Sequence, residues 1–361
     1  MAAVSPLAGL VALDFTQLLP GPYCTRLLAD LGARVVKVEP PWGEDLRTRP
    51  PLLPDGQSAG YVALNRGKET VTLDLRSPEG RAAAIELARS CDALIEGFRP
   101  GVMDRLGLGF EAVKALNPRV VYCALTGYGQ DGPYAQRAGH DVNYLGLAGA
   151  LGLGGTPDGS PLLPAVQVAD IGGGSLMAAL SIVAALLGRQ RGTLQEAVFL
   201  DVSMVDGVAS WQGPAVASAF AGDRMPTRGD GLLTGGTPCY GIYETADGRY
   251  MALGALEPKF WATFCAVADR PEWAERQHES PPDRLAADLR ALFRGRTRAE
   301  WVEVIGEADA CCTPILDWDE VWADPHVRAR GLLTSPLDGL RTVRHPVLWN
   351  GEAPGPIPHP E

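Results

Sequence analysis

Two side chains that could transfer a proton occur in glycine-rich stretches, at His140 and Asp170. Histidine has an ordinary pKa near neutrality, which suits it to remove a proton as a general base. Gly139 precedes the histidine, and glycines 172–174 follow the aspartate closely. We hypothesise that the two side chains face one carbon atom from opposite sides. A proton taken from one face and returned on the other would invert that carbon.

Each candidate residue also has a purely structural explanation. His140 could be an ordinary loop histidine, and Asp170 could be the N-cap of the helix that follows it. Glu257, which precedes Pro258, also lies where a helix begins and could act as a cap. If Glu257 instead lay beside a histidine, its carboxylate would favour the charged imidazole. The glycines 172–174 weaken the capping explanation for Asp170, because they destabilise a helix and suit close approach by a ligand or partner subunit.

The composition is that of an ordinary globular protein with an acidic surface. The chain has 361 residues, of which 46% are hydrophobic and 21% charged, so two domains with buried cores are possible. The formal net charge of −11 argues against nucleic acid or an anionic membrane as a partner. An anionic ligand would therefore need a local basic site.

The cysteine pattern and the apolar segments favour a cytoplasmic protein. The seven cysteines lack metal-ligand spacing, and the adjacent pair Cys311-Cys312 is not a zinc motif. Their odd number, mostly within apolar runs, predicts reduced and buried thiols and no metal. The N-terminus has no signal-peptide pattern. The apolar segment Leu176–Leu187 is too short to span a membrane and predicts a buried helix.

Strands and helices are predicted to alternate through the first part of the chain. Strands are expected at Leu10–Phe15, Arg34–Val38, Thr70–Leu75, Ala93–Phe98, Val120–Leu125 and Ala197–Val202. Helices are expected at Tyr23–Leu31, Pro78–Ser90, Phe110–Leu116 and Ser175–Leu187, with another from Met204. This alternation predicts a doubly wound, Rossmann-like α/β domain that binds its ligand at the carboxyl ends of the strands.

A second, smaller α+β domain is predicted after a linker rich in glycine and polar residues. A hairpin is expected from Tyr240–Glu244 and Tyr250–Ala255, and a helix follows Glu257. Thr297 and Glu300 have the spacing of a capping box. We predict a large domain of residues 1–222 and 323–361 and a small domain of residues 223–322.

Basic residues gather near the predicted strand ends of the large domain: Arg66, Lys68, Arg76, Arg99 and Arg105. They could be scattered solvated surface residues. Together they could also neutralise the phosphates of a nucleotide-like carrier.

Several motifs resemble the family III CoA-transferase superfamily, over nearly the whole chain. They are residues 6–14, 19–22, 30–39, 65–68, 98–101 and 324–326. Within the superfamily the chain is similar to the α-methylacyl-CoA racemases, on residues 139–144 (GHDVNY) and 254–260 (GALEPKF). Transferases typically lack the histidine of the first motif. They also carry a glycine-rich loop in the small domain, and this sequence has no such run beyond Gly235-Gly236.

The resemblance implies an isomerase that inverts C2 of 2-methylacyl-CoA thioesters through an enolate. It implies that His140 and Asp170 are the acid and base and that Glu257 reaches the histidine from the other subunit. Backbone groups at Asp141 would polarise the thioester oxygen. Because Asp170 must hold a proton for part of the cycle, we predict that burial raises its pKa.

The resemblance also implies the positions that contact CoA, here a part of the substrate, so no separate cofactor and no metal are expected. These positions are Leu75, Arg76, Gly97, Phe98, Arg99, Arg105, Gly139, Asp141 and Tyr144. Relatives often have an arginine where Pro40 stands here, and Arg47 is a candidate substitute. An interlocked homodimer with the active site at the subunit interface is expected.

Two other functions fit parts of the sequence. A family III CoA-transferase would use Asp170 as a nucleophile that forms a mixed anhydride, with His140 incidental. A catalytically silent CoA-binding protein would need neither side chain for chemistry. Exchange of the C2 hydrogen in deuterated water separates the racemase from both alternatives.

Overall fold

The computed structural model describes residues 5–156, 158–222, 225–337 and 340–355. The chain divides into two compact units. Unit 1 consists of Met1–Ala148, Pro164–Gln212 and Arg328–Glu361, and unit 2 of Gly149–Leu163 and Gly213–Val327.

Residues 149–163 and 213–222 belong to unit 2, although the sequence prediction assigned them to the large domain. Residues 328–361 belong to unit 1 and residues 323–327 to unit 2, whereas the sequence prediction placed all of residues 323–361 in the large domain. The division into two domains as such stays a prediction.

The strands, numbered along the chain, are β1 (Val11–Asp14), β2 (Arg34–Glu39), β3 (Glu69–Thr72), β4 (Ala93–Glu96), β5 (Val121–Thr126), β6 (Val198–Ser203), β7 (Tyr240–Glu244), β8 (Tyr250–Gly254), β9 (Cys312–Pro314), β10 (Leu333–Leu337) and β11 (Leu340–Val343). Within the described residues, the first six form one parallel sheet in the order β3-β2-β1-β4-β5-β6. The strand order reverses between β1 and β4, where ligands of such sheets bind outside the carboxyl ends. The predicted parallel α/β sheet is therefore confirmed.

The α-helices are α1 (Pro20–Asp30), α2 (Ala59–Asn65), α3 (Pro78–Ser90), α4 (Val102–Arg105), α5 (Phe110–Leu116), α6 (Asp141–Leu147), α7 (Ala150–Leu153), α8 (Met177–Gln190), α9 (Met204–Trp211), α10 (Gly213–Ala221), α11 (Pro258–Val267), α12 (Asp283–Phe293), α13 (Arg298–Ile305), α14 (Trp318–Ala323) and α15 (Pro325–Ala329). Short 3₁₀-helices span Asp45–Thr48 and Pro271–Arg276, and a π-helix spans Val168–Leu176.

Local sequence signals explain where several helices begin. The Ser77 hydroxyl accepts a hydrogen bond from the Gly80 N–H at 2.9 Å, and Pro78 takes the first helical position, as predicted. The predicted capping box is also present, since Thr297 accepts from the Glu300 N–H while the Glu300 carboxylate accepts from the Thr297 N–H. Each cap satisfies backbone groups that the first helical turn leaves without partners.

The interior of unit 1 contains fully buried charges at the carboxyl end of β1. Asp14 Oδ2 lies 3.2 Å from Lys68 Nζ, and both side chains are 0% exposed. Lys37, also buried, lies 3.1 Å from Glu44 and donates to the Thr16 carbonyl oxygen at 2.8 Å. Buried charges are tolerated when they are paired in this way.

Unit 2 has its own core against the antiparallel sheet β7-β8-β9. Stacked aromatic rings fill it. The ring centroid of Phe293 lies 4.8 Å from that of Tyr243 and 5.7 Å from that of Phe264. Trp261 and Trp301 are fully buried, and their indole N–H groups donate to the carbonyl oxygens of Trp273 and Phe293. Unit 2 therefore packs helices and an antiparallel sheet around an apolar core of its own.

The π-helix and α8 run on as one helical segment, Val168–Gln190. By length and composition alone its 23 residues, with a mean hydropathy of 1.9 in the most apolar stretch, could cross a membrane. A core helix meets the same criterion, and 44% of that stretch is buried in the protein. The sequence predicted a shorter buried helix here.

Candidate active site

His140 lies in the loop after β5, at the position that precedes α6. Its side chain is exposed, and its backbone N–H donates to Asn143 Oδ1 at 3.0 Å. Asn143 lies in the first turn of α6, so its amide holds the histidine backbone against the helix. The exposed imidazole therefore extends from a fixed point on the main chain.

Asp170 is the third residue of the π-helix, and its side chain is partly buried. The N-cap of this helix is Gln167, so the capping explanation for Asp170 is wrong. The Ser175 hydroxyl lies 2.9 Å from the Asp170 carbonyl oxygen and 2.6 Å from that of Pro20. π-helical turns often occur at functional sites.

Asp141 connects the two candidate residues. Its Oδ1 atom accepts hydrogen bonds from the backbone N–H groups of Ala169, at 2.7 Å, and Asp170, at 3.0 Å. Because Asp141 directly follows His140, these bonds bring the histidine loop and the start of the π-helix together. His140 is close enough to Asp170 to lower its pKa electrostatically, although other effects dominate. The structure therefore brings the two predicted acid–base residues into one site.

The surroundings of Asp170 raise the pKa of its carboxyl group. Burial, together with the negative charge of Asp141, raises the pKa of Asp170 to about 6, and His140 offsets part of the rise. This confirms the predicted direction and its cause. The side chain can hold a proton near neutrality, as a general acid must.

Replacing Asp170 by asparagine is expected to stabilise the fold at neutral pH. Because the folded-state pKa of about 6 exceeds the ordinary 3.8, the unfolded chain loses this proton first as the pH rises. Stability is therefore lost between about pH 4 and 6 and stays lost above that range. With the partial exposure of the side chain allowed for, Asp170→Asn should raise the free energy of unfolding by about 1–2 kcal/mol at pH 7.5 and hardly at all at pH 4.

Urea denaturation at the two pH values measures this difference. Asp55→Asn is the matched control, because hydrogen bonds from Gln57 lower the pKa of Asp55 and the substitution should not stabilise the protein. Equal effects of Asp170→Asn at both pH values would contradict the assigned cause.

The glycines 172–174 are approached by α9 of the same chain. A methyl group on Gly172 would collide with the Trp211 ring, and one on Gly173 would lie 2.7 Å from the Met204 carbonyl oxygen. A methyl group on Gly174 would lie 2.8 Å from the Met204 side chain. From the sequence, these glycines were expected to allow the close approach of a ligand or partner subunit. The close neighbour is instead an internal helix, which packs against the π-helix only because side chains are absent.

Tyr144 supports the loop that carries His140. The ring is 6% exposed, and its hydroxyl donates to the Gly139 carbonyl oxygen at 2.6 Å. Tyr128 packs edge-on against it, with centroids 5.2 Å apart. Burial and the negative charge of Asp170 raise the pKa of Tyr144 to about 12, so the hydroxyl stays a donor. The predicted contact of Tyr144 with CoA stays a prediction.

Gly139→Ala is expected to destabilise this loop. The added methyl group would lie 2.6 Å from the Tyr144 ring and 2.7 Å from the Tyr128 hydroxyl oxygen, so both side chains must shift. Such overpacking costs about 1–3 kcal/mol of unfolding free energy, measurable by urea denaturation. Gly152→Ala serves as the control, because nothing lies within 4 Å of its added methyl group. Equal stabilities of the two variants would rule out this packing role.

The predicted CoA-contacting positions lie beyond the carboxyl ends of the strands. Leu75 and Arg76 follow β3, and residues 97–99 (Gly-Phe-Arg) follow β4. The side chains of Arg76, Arg99 and Arg105 are exposed. Among the described residues none of these three arginines forms an ion pair. Three cationic groups are therefore available for an anionic ligand at this edge.

The other basic candidates are engaged inside the protein. Arg66 donates to both carboxylate oxygens of Asp30 and lies 2.9 Å from it. Lys68 is fully buried against Asp14. These two residues stabilise the fold, and the sequence could not separate them from the exposed arginines.

Arg47, the candidate substitute for the arginine missing at Pro40, is also engaged. Its guanidinium pairs with Glu39, donates to the Tyr61 hydroxyl at 2.6 Å and stacks over that ring at 4.0 Å. Arg47 is therefore a poor substitute for a phosphate-binding arginine.

Glu257 belongs to unit 2, at the residue before α11. Its carbonyl oxygen accepts from the N–H groups of Phe260 and Trp261, but its side chain forms no capping hydrogen bond and is exposed. Capping by the carboxylate therefore does not explain Glu257. Its predicted reach to His140 stays a prediction.

A cavity of about 190 Å³, which the sequence did not indicate, borders Arg99 in unit 1. Glu96 and Gln130 line it, together with the rings of Phe110, Tyr122 and Phe199. Burial raises the pKa of Glu96 to about 7.

No group of three or more His, Cys, Asp or Glu side chains in the described ranges is placed to hold a metal ion. The seven cysteines are free thiols, and all but Cys311 are buried, as predicted for most of them.

The chain is similar to a known protein family over nearly its whole length. Residues 7–360 match CoA-transferase family III. The chain is 35% identical over 356 residues to α-methylacyl-CoA racemase of Homo sapiens, over 96% of this chain and 87% of that protein. It is 31% identical over 364 residues to succinyl-CoA:glutarate CoA-transferase of Homo sapiens, over 99% of this chain and 80% of that protein. The crystal structure of a CAIB/BAIF family protein from Brucella suis is 30% identical, with a TM-score of 0.83 over 98% of this chain and 96% of that chain. The chain thus belongs to CoA-transferase family III.

Proposed function

We propose that this protein inverts the C2 stereocentre of 2-methylacyl-CoA thioesters by proton transfer between His140 and Asp170. The observation that carries the proposal is the pair of hydrogen bonds from the Ala169 and Asp170 N–H groups to Asp141 Oδ1, which joins the two loops. The similarity to α-methylacyl-CoA racemases supports the same reaction. Inversion needs groups on both faces of the carbon, and we assign His140 to one face and Asp170 to the other.

The proposed proton transfers balance within the pair. In one direction neutral His140 removes the C2 proton, and the electron pair of the C–H bond moves into the thioester as an enolate. Protonated Asp170 then donates its proton to the opposite face of C2. The products are a charged imidazole and an ionised carboxylate. The opposite enantiomer starts from that state and restores the first, and a pKa of Asp170 near 6 makes both states accessible at neutral pH.

The enolate needs hydrogen-bond donors at the thioester oxygen. Asp141 is the first residue of α6, so its N–H has no acceptor within that helix. Its carboxylate is held by two backbone N–H groups, which fixes the residue. We assign the thioester oxygen to the Asp141 N–H, because preorganised donors stabilise a developing oxyanion strongly.

The CoA portion of the substrate is assigned to the carboxyl edge of the sheet. Arg76, Arg99 and Arg105 supply positive charge there, and we assign further contacts with CoA to Leu75, Gly97 and Phe98. Arginine suits phosphate because its planar guanidinium donates in pairs. CoA is then part of the substrate, and no separate cofactor is proposed. Glu257 is assigned to His140 of a second copy, as the exposed carboxylate that favours the charged imidazole.

A CoA-transferase is the second candidate, because several relatives, including succinyl-CoA:glutarate CoA-transferase, are named for that reaction. In this function Asp170 attacks the thioester carbonyl carbon, thiolate leaves as CoA, and a mixed anhydride forms. A pKa of about 6 still leaves the Asp170 carboxylate mostly ionised at pH 7, as a nucleophile requires, so this pKa does not separate the two functions.

Deuterium incorporation separates the candidates. A pure enantiomer of a 2-methylacyl-CoA is incubated with the protein in deuterated water, without an acceptor acid, and C2 is followed by NMR and chiral chromatography. The racemase is expected to incorporate one deuterium at C2 and to yield both enantiomers. No incorporation without an acceptor, but CoA transfer when one is added, would overturn the proposal. Absence of both reactions, with CoA binding intact, would indicate a silent CoA-binding protein.

A further inference from the structure

Trp42 presents its ring to solvent at the carboxyl edge of the sheet. It lies in a turn after β2 in which the Gly43 N–H donates to the Pro40 carbonyl oxygen at 2.8 Å. Pro41 takes the second position of this turn, where the proline ring presets the backbone. The Trp42 side chain is 62% exposed. The turn therefore holds a large flat aromatic surface in water at a defined place.

Arg76 lies against this ring. Its guanidinium carbon is 4.5 Å from the centroid of the Trp42 ring, and no carboxylate among the described residues forms an ion pair with it. The Arg76 backbone is fixed on both sides, because its N–H donates to Asp74 Oδ1 at 3.0 Å and its carbonyl oxygen accepts from Arg81 at 2.9 Å. The charge of this arginine is thus positioned but not neutralised.

The pair lies where the sheet would receive a nucleotide. Trp42 follows β2 and Arg76 follows β3, so both extend from the edge that also carries residues 97–99 after β4. Arg47, the other cation of this region, is paired with Glu39 and Tyr61. On this side of β1, Trp42 and Arg76 therefore suit a nucleotide better than Arg47 does. They combine an exposed aromatic ring with an arginine that forms no ion pair among the described residues.

We propose that Trp42 and Arg76 bind the adenosine end of the CoA thioester. The adenine base stacks on the open face of the Trp42 ring, and the Arg76 guanidinium on the other face contacts a phosphate. Aromatic rings stack on any base, and arginine contributes a cation–π contact as well as charge. This inference rests on the proposed function for the identity of the carrier, and it makes Trp42 a binding residue for the nucleotide end only.

Adenosine 3′,5′-bisphosphate and CoA are the probes for a calorimetric binding experiment. Trp42→Ala is expected to weaken both by about tenfold, which is within the range for loss of one stacked base. Arg76→Gln should weaken both by a similar factor and reduce their salt dependence. Trp318→Ala is the matched control, because Trp318 is a 77% exposed tryptophan of unit 2. It should bind both probes like the wild type.

Trp42→Phe keeps an aromatic ring at this position, so it tests stacking of the adenine base without a large change at the surface. It should bind within about threefold of the wild type and should lose the quenching of tryptophan fluorescence that the base causes on stacking. Wild-type affinity of Trp42→Ala for both probes, or unchanged quenching in Trp42→Phe, would overturn the inference.

Truncated substrates separate this inference from the proposed reaction. A 2-methylacyl thioester of pantetheine lacks the nucleotide, so Trp42→Ala should raise KM for the CoA ester only and leave kcat unchanged. If the protein catalyses no exchange but Trp42→Ala still weakens binding of the bisphosphate, the proposed function fails and the subsite stands. If exchange occurs and Trp42→Ala affects both thioesters equally, the subsite fails and the proposed function stands.

Discussion

His140→Ala and Asp170→Asn are each expected to abolish interconversion of the two enantiomers of a 2-methylacyl-CoA. The expected loss in kcat is about 10²–10⁴-fold, the usual contribution of a positioned acid or base. Both directions fail in both variants, because inversion needs a group on each face of C2. Chiral chromatography measures the loss, and NMR in deuterated water shows whether one face still exchanges. Residual exchange without inversion would identify which enantiomer the remaining group faces.

Matched controls exclude a general loss of structure. His326→Ala and Asp55→Asn replace exposed residues of the same types and should retain wild-type inversion. A transferase would respond differently, because Asp170→Asn would remove the nucleophile while His140→Ala would leave CoA transfer to an acceptor acid intact. Inversion within threefold of the wild type in either active-site variant would contradict the assigned roles.

The sheet was predictable from sequence because parallel strands are buried on both faces. The run Arg34–Val38 is dense in β-branched residues and forms β2 at Arg34–Glu39. The cap at Ser77 likewise placed the start of α3. Such signals lie within a few residues of the element they define. Helix α2 (Ala59–Asn65) was not predicted, although α5, which has the same number of residues, was.

The chemistry of the site depends on contacts that no local pattern contains. Asp141 holds the backbone of Asp170 across 29 positions, and a hydrogen bond at that separation leaves no periodic signal. The π-helix was also not predictable, since its path depends on α9 packing against glycines 172–174. The motif at residues 139–144 did indicate His140 and Asp141 as site residues, but through resemblance to a family rather than through spacing. The exposed Trp42 gave no sequence signal at all.

Charged residues show most clearly that a local sequence pattern does not reveal contacts between distant residues. Lys68 and Arg76 looked alike in the sequence, as basic residues near strand ends. The structure places Lys68 in the interior, where its ammonium donates to Asp14 at 3.2 Å, the Pro22 carbonyl oxygen at 3.0 Å and Asn65 at 2.8 Å. Arg76 instead projects into solvent. Whether a cation binds a ligand or neutralises a buried partner depends on residues such as Asp14, which lies 54 positions from Lys68.

Lys68→Met is therefore expected to destabilise the fold rather than to weaken ligand binding alone. Burial by itself would raise the pKa of Asp14, but Lys68, Lys37 and the hydroxyls of Thr16 and Thr25 outweigh it and lower the pKa to about 2. Loss of Lys68 leaves a buried carboxylate short of its nearest cation, at a cost of about 3–5 kcal/mol in the free energy of unfolding. Urea denaturation at pH 7 measures this cost.

The pH dependence and a double variant show whether the ion pair is the cause. In the wild type the stability contributed by Asp14 is present above about pH 4 and is lost as the pH falls through about 2, because the folded-state pKa lies below the ordinary 3.8. Without Lys68 the carboxyl group takes up a proton at higher pH, so the destabilisation should be smaller at pH 4 than at pH 7. Asp14→Asn combined with Lys68→Met should recover part of the lost stability, since no charge is then left unpaired. Lys259→Met, at an exposed position of unit 2, should change stability by no more than about 0.5 kcal/mol. A Lys68→Met protein with wild-type stability and weakened CoA binding would return Lys68 to the ligand site that the sequence first suggested.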